Sequence, residues 1–291
     1  MRIVLTGKTG QVGHQLERSL QGLGEVIALD SQQMNLADPD AIRATLRELK
    51  PQLIINPAAY TAVDQAEKEE DLAQRVNGIA PGIMAEEAKA LGAALIHYST
   101  DYVFDGTKAG AYVETDATNP QNVYGRSKLA GEEAIAAAGI PYLILRTSWV
   151  YGMRGKNFLL TVKRLAAERD ELRIVADQIG APTWSRTIAD TTAHIVARLQ
   201  PHGTSLARDE WEAASGIYHL TAQGSTSWHG FTEAIVAHPS TPKKPVVKPI
   251  TTEEYPLPAR RPKNSVLSCA KLIGKFCDLP QWDKALQLCL E

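Results

Sequence analysis

Cysteine is scarce in this chain of 291 residues, with only Cys269, Cys277 and Cys289, all near the C-terminus. An odd count without metal-ligand spacing excludes a disulfide framework and predicts reduced thiols, as expected of a cytoplasmic protein. The seven histidines are dispersed with no paired-ligand pattern, which argues against a structural zinc site. Neither sign of charge is in excess, 31 Lys and Arg standing against 33 Asp and Glu, and the basic residues gather only in the short pairs Lys243-Lys244 and Arg260-Arg261. Nucleic acid and an anionic membrane surface are therefore not expected as partners. No apolar stretch approaches the roughly 20 residues of a membrane span. The first apolar run, Ile3-Val4-Leu5, follows Met1-Arg2 directly and is too short and wrongly flanked for a signal peptide.

What is present is a strand-and-helix alternation. Ile3 to Thr6 is a β-rich run of the kind buried on both faces of a sheet. Gly7-Lys8-Thr9-Gly10-Gln11-Val12-Gly13 and an amphipathic segment with Leu16 and Leu20 follow it. Strand, glycine turn and helix in this order suit a dinucleotide: glycine lets the backbone approach a pyrophosphate, and the helix N-terminus offers free N–H groups. A P-loop is excluded, because the glycine it needs five residues before Gly7 is Arg2. The next strand, Glu25 to Leu29, ends at Asp30, where an acid can accept from an adenosine ribose and repel a 2′-phosphate. Asp38-Pro39 predicts an N-cap and first helical position for a helix reaching about Leu49.

Leu53 to Ile55 is the third strand, and Asn56-Pro57-Ala58-Ala59-Tyr60-Thr61 follows, small enough to admit a flat ligand. A helical region from roughly Leu72 to Leu91 leads to a fourth strand, Ala94 to Tyr98, ending in Ser99-Thr100-Asp101-Tyr102. A further strand, Tyr142 to Leu145, ends at Arg146-Thr147-Ser148-Trp149. This alternation predicts an α/β fold: a Rossmann-type doubly wound parallel sheet over residues 1–150, with later segments able to return to it. Residues 151–291 are expected to form mainly a smaller α/β substrate-binding region. There the pattern predicts helices near Asn157–Glu168, Arg186–Leu199 and Trp228–Ala237, strands near Leu172–Val175 and Tyr218–Leu220, and an irregular turn at Gly180-Ala181-Pro182-Thr183. Pro239 to Pro262 is proline-rich and is expected to cross the surface in extended form.

The chemistry centres on Tyr124-Gly125-Arg126-Ser127-Lys128. A tyrosine and a lysine four apart share one face of a helix. A nearby ammonium favours the phenolate and so lowers a phenol pKa that is ordinarily about 10. The spacing alone is not specific, since an exposed lysine after a half-buried tyrosine has it too. Its company is what matters: a dinucleotide-type loop, and the hydroxyl of Thr100 at a strand end.

With these motifs, and with Tyr98 to Phe104, Asn122 to Glu132, Arg146 to Tyr151, Gly180 to Thr183 and Ala259 to Pro262, the chain resembles the extended short-chain dehydrogenase/reductases and, among them, the dTDP-4-dehydrorhamnose reductase family. The resemblance implies an oxidoreductase of dTDP-rhamnose and polysaccharide biosynthesis that uses NADPH or NADH to reduce the 4-keto group of a dTDP-linked 6-deoxy-hexulose. It implies Tyr124 as proton donor, Lys128 as its assistant and holder of the nicotinamide ribose, and Thr100 as orienter of the substrate oxygen. Gly7, Gly10, Gln11, Val12 and Gly13 would meet the pyrophosphate, Asp30 with Asn35 and Leu36 the adenosine end, and Ala59, Tyr60, Thr61 and Tyr98 would line the channel. Asp101, Trp149, Arg260 and Arg261 would contact the sugar nucleotide, a planar guanidinium being suited to paired phosphate oxygens. Some members dimerise through magnesium held by glutamates on later helices; Arg186 stands in one such region here, so no metal is expected, and the chain is expected to be a monomer or homodimer. Two alternatives share these residues: another nucleotide-sugar epimerase or reductase, and a non-catalytic regulatory subunit on the same fold.

Overall fold

A computed structural model describes residues 1–200 and 206–291. Its centre is a six-stranded sheet. The strands β1 (Arg2–Leu5), β2 (Glu25–Ala28), β3 (Leu53–Asn56), β4 (Ala94–Thr100) and β5 (Tyr142–Thr147) are joined by a sixth, Gly216–His219. The spatial order is Gly216–His219, β5, β4, β3, β1, β2, and every pairing is parallel. The chain leaves β1 toward β2 and then returns to β3 on the other side of β1. The crevice beyond the carboxyl ends of β1 and β3 is therefore the topological switch point where open α/β sheets bind ligands.

Strand periodicity builds both faces. Ile3, Leu5, Leu53, Ile55, Ala94, Ile96, Leu143 and Leu145 point into one buried cluster, with Leu16, Ile188, Trp211 and Phe276 from the helices covering it. The residues between them, Val4, Ile54, Leu95 and Ile144, point into the other, with Ile42, Leu46, Met84 and Ile135. Successive strand side chains alternate in direction, so a run that is apolar at every position can be satisfied only by helices on both sides. The helix Ser185–Leu199 and the strand Gly216–His219 belong to this layered body although both lie beyond residue 150. A third cluster, with Tyr151, Leu159, Phe231, Ile235 and Leu286, forms the core of the later region.

The helices start where the sequence signals them. The Asp38 carboxylate accepts from the N–H groups of Asp40 and Ala41 and caps Pro39–Leu49. Asn157 caps Phe158–Glu168 through the N–H of Leu160. The helical region before β4 is a run of Glu70–Gln74, a π turn Arg75–Ile79 and Ala80–Leu91. The proline-rich crossing is extended and not helical, and within it Val246–Ile250 goes further and forms a strand, paired in parallel with Glu171–Val175. Pro249 is tolerated there because this sheet has two strands, so a missing donor on the open edge costs no ladder bond. Three short helices, Val63–Ala66, Arg208–Ala214 and Ala270–Lys275, carry too few turns to show a helical period in the sequence, and Trp282–Leu290 is a further helix beyond those expected from the sequence.

Candidate active site

The glycine loop after β1 is packed as tightly as a phosphate-binding turn requires. A Cβ on Gly13 would lie 2.1 Å from the Gly7 carbonyl oxygen, so no other residue fits there. Around this loop runs a cleft of about 540 Å³. Its lining includes Gly7, Gly10, Gln11, Val12, Gly13, Asp30, Asn35, Leu36, Ala59, Thr61, Tyr98, Tyr124 and Lys128. A second cavity of about 920 Å³ is lined by Tyr102, Arg260 and Arg261 together with Trp228, Arg169, Arg173 and Lys263. Tyr102, from the second cavity, packs edge-on against Tyr124, from the first, with ring centroids 5.6 Å apart. The Tyr124 phenol thus sits where the two spaces adjoin.

Its helix, Val123–Ala137, is fixed at its start by Asn122, whose Oδ1 accepts from the Gly125 N–H at 2.7 Å and whose Nδ2 donates to the Arg260 carbonyl at 2.8 Å. One side chain therefore caps the helix and ties the Arg260 segment to it. A Cβ on Gly125 would come within 2.2 Å of the Tyr102 carbonyl oxygen, so glycine there lets the helix seat on the turn after β4. Further along, Glu132 and Arg146 form a fully buried ion pair, 2.6 Å at its shortest, joining the helix to β5.

Lys128 is 1 % exposed. Its Nζ lies 3.1 Å from His97 Nε2 and donates to the Tyr98 carbonyl at 2.5 Å. Burial pulls its pKa down to about 8, against the raising influence of Glu132. The expected acidification of Tyr124 by Lys128 does not arise: burial, and then the Asp101 carboxylate, hold the phenol's pKa well above its ordinary value, with the Thr100 hydroxyl opposing them. Desolvation of the charged form outweighs an amine whose hydrogen bonds go elsewhere.

Four of the expected contacts fall outside both cavity linings. Tyr60 turns aside and donates its phenol to Glu69 at 2.6 Å, which with burial pushes its pKa up to about 12. Thr100 donates to Asp101 Oδ1 at 2.9 Å and accepts from the Tyr102 N–H, capping the turn Asp101–Val103. Asp101 is buried beneath it, and that burial raises its pKa to about 6. Trp149 stacks on Trp228, ring centroids 3.6 Å apart, and reaches the second cavity only through that partner. Of the two arginines, Arg261 is held by Asp64 at 2.7 Å and by the Ala259 carbonyl, whereas Arg260 is exposed and bonded to Gln121. Asp30 accepts from the N–H groups of Gln32 and Gln33 and pairs with Lys8 at 3.3 Å. Lys8, His97, Tyr102, Lys156, Arg169 and Arg173 were not singled out by the sequence. Tyr102 and Lys8 stand inside motifs, but the others carry no local signature.

A nicotinamide dinucleotide fits the residues present. The glycine cradle is closed to any Cβ at Gly13, and the hydroxyls of Ser99 and Thr147, which line the same cleft, are buried without a protein partner. Among the described residues, no group of three or more His, Cys, Asp and Glu side chains is gathered for a metal, and no helix is long and apolar enough to cross a membrane.

Known proteins share this architecture throughout. The model of the RmlD substrate binding domain matches residues 1–291. A dTDP-4-dehydrorhamnose reductase of Burkholderia thailandensis is 49 % identical over 100 % of this chain and 98 % of its own length. That of Escherichia coli K12 is 42 % identical over 97 % and 94 %. Among solved structures, the reductase of Bacillus anthracis in complex with NADP superposes with a TM-score of 0.90 at 35 % identity, covering 99 % of this chain and 98 % of that one. A UDP-glucose 4-epimerase of Thermus thermophilus with NAD, 20 % identical over 100 % and 98 % with a TM-score of 0.81, shares the fold. With its glycine cradle, its paired cavities and relatives alike from end to end, this chain belongs to the RmlD substrate binding domain family.

Proposed function

We propose that this chain is an NAD(P)H-dependent reductase that converts the 4-keto group of dTDP-4-dehydro-L-rhamnose to the alcohol of dTDP-L-rhamnose. The observation that carries this reading is the position of Tyr124, beside Lys128 in the glycine-lined cleft and edge-on to Tyr102 of the larger cavity. In this reading the sheet and its helices bind the dinucleotide, and residues 151–291 chiefly hold the sugar nucleotide. The nicotinamide, when bound, supplies the hydride for the carbonyl carbon. The protein's part is position and a proton.

Tyr124 donates that proton from Oη to the carbonyl oxygen as negative charge develops on it. A phenol held neutral by burial and by Asp101 keeps its proton across the physiological range and releases it only to a stronger base, which suits a donor in the reductive direction. The Thr100 hydroxyl favours the phenolate left behind. Lys128, with its pKa near 8, is poised to carry positive charge beside that phenolate and to hold ribose hydroxyls, for which Ser99 and Thr147 offer further partners. Arg260, exposed at the second cavity, supplies a guanidinium for the diphosphate; Arg261, held by Asp64, shapes the wall. The Lys8 ammonium offsets the charge of Asp30, so both NADH and NADPH suit the adenosine end.

Purified protein is expected to oxidise NADH or NADPH, followed by absorbance, when given dTDP-4-dehydrorhamnose, and to prefer it over UDP- and GDP-linked keto-sugars. Tyr124→Phe should lower turnover by roughly 10²–10⁴-fold, the usual worth of a positioned general acid, with cofactor affinity nearly unchanged. Near-native turnover in that variant overturns the mechanism.

A further inference from the structure

Behind Lys128 lies a chain of hydrogen bonds that the proposed reaction does not use. The Thr6 hydroxyl accepts from the Ala58 N–H at 3.2 Å and donates to Asn56 Oδ1 at 2.6 Å. Asn56 Nδ2 in turn lies 3.1 Å from His97 Nδ1, and His97 Nε2 lies 3.1 Å from Lys128 Nζ. Thr6, Asn56, His97 and Lys128 are all buried and come from just after β1, the end of β3, the middle of β4 and the helix Val123–Ala137.

Each link restricts the next. Thr6 has one hydrogen and gives it to Asn56 Oδ1, so the Asn56 amide turns its N–H toward His97. His97 Nδ1 must then accept, which leaves the imidazole proton on Nε2, facing the amine. An N–H facing an ammonium is two donors opposed. It becomes a hydrogen bond only when the lysine is neutral and accepts through its lone pair, while still donating to the Tyr98 carbonyl.

We propose that His97 is a positioning residue that sets the charge of Lys128, its Nε2–H favouring the neutral amine until a ligand in the cleft gives Nζ another partner. The other ionisable groups around Lys128 are Tyr124 one turn earlier, Asp101 below that phenol, and Glu132 one turn later, which Arg146 holds. Of these, Glu132 favours the ammonium. Burial and the lysine both keep His97 neutral, as the chain of bonds requires. His97 deepens the reductase reading and rests on it for its role in turnover, but the tautomer and the lysine's charge belong to the ligand-free protein.

Nitrogen-15 NMR of the free protein reads both. The result expected is an Nε2–H tautomer for His97 and a Lys128 Nζ that titrates near 8. Two variants move the balance. Asn56→Asp offers an acceptor to Nδ1, draws the imidazole proton there and frees Nε2 to accept from an ammonium. His97→Gln offers an amide oxygen to the ammonium directly. Both are expected to raise the Lys128 midpoint, and with it the basic limb of NADPH binding against pH, by about one pH unit, a tenfold change in the proton equilibrium. An Nδ1–H tautomer in the wild type, or midpoints unmoved in folded His97→Gln, overturns the proposal. If the Asn56→Asp variant does not fold, the wild-type tautomer and His97→Gln decide. A protein that binds NADPH with these titrations yet turns over no keto-sugar retires the reductase reading and leaves the tautomer assignment standing.

Discussion

At the scale of single residues, the site is dominated by what burial does to charge. Lys128 is enclosed, and its pKa stands below the ordinary lysine value. A base whose pKa is depressed on folding costs stability at every pH below the folded value, and that cost fades as pH climbs to the unfolded one. Here the window runs from about 8 to 10.5, so Lys128 destabilises the fold at neutral pH by roughly 3 kcal/mol at about 1.4 kcal/mol per unit. Lys128→Met is therefore expected to raise the melting temperature by several degrees at pH 7 while removing activity, with the gain shrinking above pH 8. Calorimetry across pH checks this; a lower melting temperature at pH 7 would show that the ammonium is fully compensated. The spacing of Tyr124 and Lys128 was legible in the sequence. The direction of the phenol's shift was not, because it depends on desolvation by residues remote in the chain.

Among the elements, the helix Val123–Ala137 binds the two halves of the site together. Asn122 is visible in the sequence as a residue suited to an N-cap, but its second bond, to the Arg260 carbonyl, spans 138 positions. Asn122→Ala removes both. Loss of a cap costs about 1 kcal/mol, and the unpartnered Arg260 carbonyl adds to it, so a loss of roughly 1–2 kcal/mol is expected in denaturant unfolding. Because the Arg260 segment lines the second cavity and not the glycine-lined cleft, the proposed function predicts a severalfold rise in KM for the sugar nucleotide while NADPH affinity holds. Equal losses in both would mean the helix itself had shifted. The strand Val246–Ile250 teaches the complementary lesson: Pro249 speaks against a strand, yet one open edge is enough to accept it.

For the molecule as a whole, stability in acid depends on histidines held neutral far from solvent. His219 is fully buried on the sixth strand, its Nδ1 near the Ser268 carbonyl, and burial followed by Arg146 pulls its pKa down to about 3. The folded state binds this proton less readily than the unfolded chain, so stability is full above about 6.5 and is lost as pH falls toward 3. Asp101 acts in the opposite sense over a narrower window, its raised pKa stabilising the fold below about 4 and withdrawing that support as pH climbs through 6. The wider histidine shift should win. The melting temperature of His219→Gln is expected to fall less steeply between pH 6.5 and 4 than that of the native protein. Parallel curves would assign the acid lability elsewhere.

By itself the sequence determined the layered α/β fold and the glycine loop that lines the first cleft, because these are written locally: strands apolar at every position, glycines where a Cβ would collide, caps one turn from the groups they satisfy. Only the tertiary structure decided that Thr100 faces Asp101, that Trp149 lies under Trp228, that Arg261 answers to Asp64 and that Lys128 meets His97. Apart from the neighbours Thr100 and Asp101, those pairings join residues distant in the chain. Their strength comes from the burial that the finished fold imposes, which no stretch of chain carries on its own.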